Sequence, residues 1–238
     1  GFTVITAQHF GAGNMRAMRQ SVVTASVLSA VVSVILTIIS MVMMQDVLRW
    51  MNTPSDMYDQ AYEYIMVICG GIVAQVLYNL LSSILRAVGD SKRPLYFLIL
   101  AAGLNIVLDL VFIIVFHMSA GGAAYATVIA QGVSGLLCLV YIKKKVPILH
   151  LCRDDWRWNT DLAKCQMKIG FPMAFQYSIT AIGTIVVQTA LNSLGSVAAA
   201  GFAAAVKIEQ IVTQAYIALG TTMANYCAQN VGAGKILR

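Results

Sequence analysis

Charge is scarce in this sequence. Asp, Glu, Lys and Arg make up 11% of its 238 residues, whereas soluble domains carry about 25%. With 59% hydrophobic residues and a mean hydropathy of +0.76, this shortage excludes an ordinary water-soluble globule and makes lipid the natural solvent. Low-complexity sequence is absent. The five cysteines (Cys69, Cys138, Cys152, Cys165, Cys227) are odd in number and never spaced as C-x-x-C, which argues for packing residues rather than a disulfide or metal framework. His9, His117 and His150 are isolated, so no metal site and no cofactor are expected. No nucleophile, base or metal cluster lies within the apolar runs, so the chain is not expected to be an enzyme.

Long apolar runs are abundant. A helix needs about 20 apolar residues to cross the ~30 Å hydrocarbon core, and six segments reach that length: approximately 21–44, 62–85, 95–116, 121–142, 170–193 and 199–228. The chain is therefore expected to be an all-α polytopic membrane protein. Fourteen of the sixteen Lys and Arg residues fall in one set of loops, at 11–20, 86–94, 143–169 and 232–238, and the opposite loops hold only Arg49 beside Asp46, Asp56 and Asp59. The positive-inside rule makes the basic set cytoplasmic. The net charge of +6 thus reports topology, and no nucleic-acid partner is expected. Residues 143–169 form the one long polar connection, with Trp156 and Trp158 beside Arg157; Asn159 or Thr160 is placed to cap a short interfacial helix before Gly170-Phe171-Pro172.

Ala7-Gln8-His9-Phe10-Gly11-Ala12-Gly13-Asn14 recurs as Ala228-Gln229-Asn230-Val231-Gly232-Ala233-Gly234-Lys235, matching at five of eight positions. Both copies sit at a cytoplasmic helix end, which points to parallel duplicated bundles. Glycine there lets the chain leave a helix at positive φ, so both loops are read as helix stops. The repeat divides the chain into 1–142, most of an N-terminal six-helix bundle; 143–169, the linker; and 170–238, the start of a C-terminal bundle. A complete protein would have twelve spans, and this chain is expected to be truncated at both ends with about seven of them.

With those loops, Ile84-Leu85-Arg86-Ala87-Val88-Gly89-Asp90-Ser91-Lys92-Arg93-Pro94, Asn105-Ile106-Val107-Leu108-Asp109, Gly121-Gly122-Ala123-Ala124-Tyr125-Ala126-Thr127 and Ala203-Ala204-Ala205-Val206-Lys207-Ile208 occur in order on successive spans. Taken together these segments resemble the multidrug and toxic compound extrusion (MATE) family, in its prokaryotic DinF-like branch. The resemblance implies the family's fold of two six-helix bundles and a multi-pass monomer in a prokaryotic plasma (inner) membrane.

Two residues stand out within the third span. Asn105 and Asp109 are four apart, hence on one helix face near mid-span. A carboxylate there is costly unless paired or hydrated, so Asp109 should face the bundle interior or a water-filled cavity. Thr127 lies about two turns into the next, antiparallel span. A carboxylate, an amide carbonyl and a hydroxyl suit Na⁺, and a carboxylate raised by desolvation suits H⁺. By the resemblance, Asn105, Asp109 and Thr127 match the cation site of the DinF-like branch, which also uses an Asp on a first helix not found here. Another branch places a Glu where this chain has Thr180, which argues against a second coupling site. Gln176 and Tyr177 are candidate substrate-facing residues. Lys207 and Glu209, two apart and so not a simple helical pair, either line the cleft or snorkel. The expected function is Na⁺- or H⁺-coupled export of amphipathic, often cationic xenobiotics by alternating access. The rival is a lipid-linked precursor flippase of the same two-bundle architecture, which would need a strongly cationic cleft.

Overall fold

The computed structural model describes residues 2–50, 55–156, 158–192 and 196–235. Arg157 and Arg238 of the basic set lie outside them. Among the described residues the regular structure is helical: α1 (Thr3–Gly11), α2 (Met15–Trp50), α3 (Ser55–Gly70), α4 (Ile72–Ala87), α5 (Lys92–Leu110), α6 (Ala120–Lys145), α7 (Thr160–Asn192) and α8 (Ser196–Gly232). Among the described residues, three helical stretches are long and apolar enough to cross a membrane, Met15–Arg49, Lys92–Val115 and Ala120–Lys145, and a bent pair, Tyr58–Gly70 with Ile72–Ala87, makes a fourth if it is one span. The fold is that of an all-α, multi-pass membrane protein.

The second expected span is not one straight helix. It breaks at Gly70-Gly71, where α3 and α4 meet at 43°. The local cause is two adjacent residues without side chains: a methyl on Gly71 would overlap the Val128 side chain, so α4 starts where only glycine lets it lie against α6. The third span also departs from the expected form. After Leu110 it widens into a π-turn, Val111–Val115, closed by Phe116 N–H to Val111 O at 3.1 Å and Met118 N–H to Phe112 O at 2.9 Å. His117 then turns the chain at φ 52°.

The chain divides into two compact units. Residues 15–158 form the larger one. Here α3, α4 and α5 all pack on α6, and α2 packs on α3 and α4. α6 can be central because one face is built from small residues, with Gly122, Ala126, Ala130, Ser134, Gly135 and Cys138 all buried. In lipid, where apolar side chains gain nothing by leaving their surroundings, close backbone approach is what holds helices together. A methyl on Gly135 would stand 3.2 Å from the Leu77 side chain and 3.3 Å from Tyr78 N. The Tyr78 hydroxyl, buried, donates to Pro94 O at 3.2 Å and so ties α4 to the start of α5. The outward faces carry the apolar side chains the bilayer requires, among them Val42, Ile99, Ile106 and Ile114, all exposed.

The turn from α4 into α5 explains the motif over 84–94. Gly89 takes φ 92°. Asp90 N–H then reaches Leu85 O at 2.9 Å and Gly89 N–H reaches Arg86 O at 3.1 Å, which satisfies two end carbonyls in a Schellman pattern. Asp90 caps the next helix, accepting from Arg93 N–H at 3.2 Å and from the Tyr141 hydroxyl at 3.0 Å.

The linker is shorter than 143–169, because α6 continues to Lys145 and α7 begins at Thr160. Between them lie two 3₁₀ turns, Pro147–Leu149 and Arg153–Trp156. The second is pinned to α2: buried Asp155 accepts from Arg19 Nε at 2.8 Å and from Cys152 N–H at 2.9 Å. Burial opposes the charged carboxylate, but the Cys152 N–H, the Arg19 guanidinium and nearby Arg16 outweigh it and hold the acid below its ordinary value.

Residues 1–14 and 159–238 form the second unit, in which α1 packs on α7 and α8. Residues 1–14 thus group with the third segment of the expected division rather than with 15–142. Asn159 caps α7, its Oδ1 accepting from Asp161 N–H at 3.0 Å and Leu162 N–H at 3.1 Å. Among the described residues the expected short interfacial helix is not a separate element but the first part of α7. α7 runs unbroken for 33 residues with Pro172 inside it. A proline removes one ladder bond, a loss that transmembrane helices tolerate.

Candidate cation-binding site

Four-residue spacing on α5 and the antiparallel run of α6 assemble the candidate site within the larger unit. Asn105 Nδ2 donates to Thr127 Oγ1 at 3.4 Å, and Thr127 Oγ1 donates to Ala123 O at 2.9 Å. The threonine hydroxyl proton is thereby committed to its own helix, leaving oxygen lone pairs toward α5. The Asn105 amide, with its NH₂ turned to Thr127, presents its carbonyl oxygen as an acceptor. All three residues are half-buried.

Asp109 lies one turn further along the same face of α5. Its Oδ1 is buried and has no hydrogen-bond partner, and it is the one carboxylate oxygen so placed among the described residues. Leaving a buried acceptor unpaired costs about 1–3 kcal/mol, and more for a charged group. A bound cation or a proton would remove that cost. The π-turn begins two residues after Asp109; such wide turns often accompany functional positions. Sequence periodicity gave no sign of it, because a π-turn changes the backbone ladder without requiring a special residue.

A second acid comes close to α6, the helix that carries Thr127. Glu63 of α3 is exposed, and a methyl on Gly121 would overlap its carboxylate. Gly121 therefore leaves room for a negative charge at the start of α6, where the helix dipole favours one. In the sequence Glu63 lies at the edge of the second expected span, 62–85, with no motif around it. By contrast, a cavity of about 900 Å³ between α2, α4, α6 and the linker is lined mainly by apolar residues such as Val22, Leu77 and Leu81 and contains none of Asn105, Asp109 and Thr127.

The four candidate substrate residues belong to the second unit. Gln176 and Tyr177 on α7 and Lys207 and Glu209 on α8 are all exposed. Thr180, at the position where another branch has Glu, donates its hydroxyl to Gln176 O at 2.9 Å. It is thus occupied with its own helix. Cys69 and Cys138 are buried as packing residues, whereas Cys152, Cys165 and Cys227 are exposed free thiols.

The MatE family model matches residues 1–111. The probable multidrug resistance protein YpnP of Bacillus subtilis is 35% identical over 79% of this chain and 42% of its own length. YoeA of the same organism, also a probable multidrug resistance protein, is 26% identical over 100% of this chain and 53% of its own. Among solved structures, a MOP superfamily transporter from Pyrococcus furiosus superposes with a TM-score of 0.92 at 24% identity, covering 99% of this chain and 52% of that one. The chain spans about half the length of the curated relatives it matches. With its ordered motifs and apolar helices, the chain is similar to the MatE family over residues 1–111 and to these multidrug resistance proteins over most of its length.

Proposed function

We propose that the transporter containing this chain exports amphipathic, often cationic organic compounds in exchange for Na⁺ or H⁺, and that Asn105, Asp109 and Thr127 form its coupling site. Members of this family are transporters, and the chain is not an enzyme. The names of the relatives, probable multidrug resistance proteins, support the substrate class. The observation that carries the coupling role is the buried, unpartnered Asp109 Oδ1 beside the Asn105–Thr127 bond.

The chemistry is an exchange of partners. Asp109 binds a cation or proton when its surroundings favour the neutralised state, with the Asn105 carbonyl and Thr127 hydroxyl as further oxygen ligands for a metal ion. Coupling requires only that this binding differ in strength between outward-open and inward-open states, because an ion can bias the equilibrium by no more than that difference. The exposed Gln176, Tyr177, Lys207 and Glu209 are proposed to meet the substrate. We place the transporter in a prokaryotic plasma membrane as a monomer, with the basic loops cytoplasmic.

Uptake of ethidium into everted vesicles, with and without a Na⁺ or pH gradient, identifies the ion. Asp109→Asn keeps the shape and removes the titratable charge. It is expected to abolish gradient-driven uptake while the protein still reaches the membrane. Full coupled uptake by Asp109→Asn would sink the assignment. Movement of a lipid-linked precursor in the same vesicles, without ethidium transport, would favour the flippase.

A further inference from the structure

The cavity between α2, α4, α6 and the linker has no part in the coupling site. Its volume of about 900 Å³ lies within the range of ligand sites. Its two long walls differ in kind. α4 supplies bulky residues such as Leu77 and Leu81, whereas α2 presents Ser26, Ser29, Ala30 and Ser33 at helical spacing. These small residues leave open the space that the leucines border. The serines do not make the wall polar, because Ser26 Oγ donates to Val22 O at 2.8 Å and Ser33 Oγ to Ala30 O at 2.9 Å. Both hydroxyl protons are thus committed to their own helix.

The groove has a length and a direction. Along α2 its lining runs from Val22 to Val34, and along α4 from Ile84 back to Val73, which at 1.5 Å per residue is about 16–18 Å. One leaflet of a ~30 Å hydrocarbon core is about 15 Å deep. The groove therefore reaches from the basic helix ends toward the bilayer midplane, the depth of one acyl chain.

At the basic end the lining changes character. Lys143 stands in the last turn of α6, followed by Lys144 and Lys145. His150 Nε2–H donates to Lys143 O at 2.8 Å, which folds the linker over the helix end. Trp156 lines the same end and is 59% exposed; its indole joins an apolar ring to an N–H donor, a pairing favoured at the lipid–water interface. The lining includes no Asp or Glu, and Asp155, next to Trp156, is already matched by Arg19. Such a mouth repels a cationic substrate and attracts an anion. Anionic lipids enrich the cytoplasmic leaflet, and basic pockets between spanning helices on that side take their headgroups.

We infer that this groove holds one anionic phospholipid of the cytoplasmic leaflet, with an acyl chain between α2 and α4 and its phosphate at Lys143 beside Trp156. The chain completes the packing that the small residues of α2 leave open. This seating rests on the proposed cytoplasmic placement of the basic loops and goes beyond the coupling reading, since it involves none of Asn105, Asp109 and Thr127.

The test uses the complete transporter, delipidated in detergent and titrated with phosphatidylglycerol or phosphatidylcholine of the same chains. Bound lipid is counted by native mass spectrometry. One phosphatidylglycerol is expected to bind at least about fivefold more tightly than phosphatidylcholine. Lys143→Gln is expected to erase that preference. Lys92→Gln removes an exposed cation at the same level outside the groove and is expected to leave it unchanged. Ala30→Phe, at an exposed lining position, puts a ring where the chain lies and is expected to weaken both lipids about tenfold. Equal binding of the two lipids by the wild type overturns the lipid site. Equal losses in Lys143→Gln and Lys92→Gln also overturn it, leaving only diffuse surface charge. Binding that ignores both Lys143→Gln and Ala30→Phe overturns it as well and places a helix outside 1–238 in the groove. If Ala30→Phe does not accumulate, the comparison of Lys143→Gln with Lys92→Gln decides. Lipid counts do not depend on transport, so loss of coupled uptake leaves the lipid site standing, and loss of the lipid site leaves the coupling site standing.

Discussion

Asp155→Asn isolates one charge in a place where its surroundings are known. The carboxylate is almost fully buried, with 3% of its side chain exposed, while Arg19 is 25% exposed. Removing one partner of a fully buried pair costs about 3–5 kcal/mol, because the other charge is left uncompensated. An exposed pair contributes about 0–1 kcal/mol. Water reaches a quarter of Arg19, so the expected loss lies between these limits, at about 2 kcal/mol. Asparagine retains an acceptor for Cys152 N–H, so the change reports mainly on the charge. Thermal unfolding of the complete transporter in detergent should show a lowering of a few degrees, and protease should cut the 146–159 connection faster. Asp155→Asn, Arg19→Ala and the double variant form a cycle whose coupling energy should be about 1–2 kcal/mol. Strict additivity would refute the pin. The pH dependence has a fixed sign. The acid is held below its ordinary value, so the pair's contribution is fully present above about pH 4, the usual Asp range, and is lost as pH falls through the depressed value. Between pH 5 and 8 the stability gap between wild type and Asp155→Asn should stay constant, and it should close only in stronger acid.

Two further expectations concern packing. Gly71→Ala should cost about 1–3 kcal/mol by forcing the new methyl into Val128, and Val128→Ala should restore much of that loss in the double variant; no rescue would mean that the bend has another cause. Tyr78→Phe, which removes the donor to Pro94 O, should lower stability by about 1 kcal/mol in the same detergent melts without changing ion dependence.

The positions of the spans were legible because a run of 20 apolar residues has no good alternative to lipid, and the turn after α4 because Gly89 and Asp90 declare a helix stop and a helix start locally. The face shared by Asn105 and Asp109 followed from helical period, and the antiparallel order of the next span brought Thr127 within 3.4 Å of Asn105. The linker is shorter than its polar composition suggests, because such composition does not distinguish a loop from the first turns of α7.

What the sequence by itself determined is what depends on neighbours along the chain: lipid as solvent, the helix stops and the repeated motif. Tertiary structure alone decided contacts between residues far apart. Arg19 meets Asp155 across 136 positions, Gly71 yields to Val128, and Asp109 Oδ1 is left without a partner. Gly11 and Gly13 look alike in sequence, yet Gly13 is required by its own backbone angle and Gly11 by the carbonyl of Gln229 in a distant helix. A φ angle is a local property that composition can signal. A close approach belongs to two chain segments at once, and only their packing reveals it.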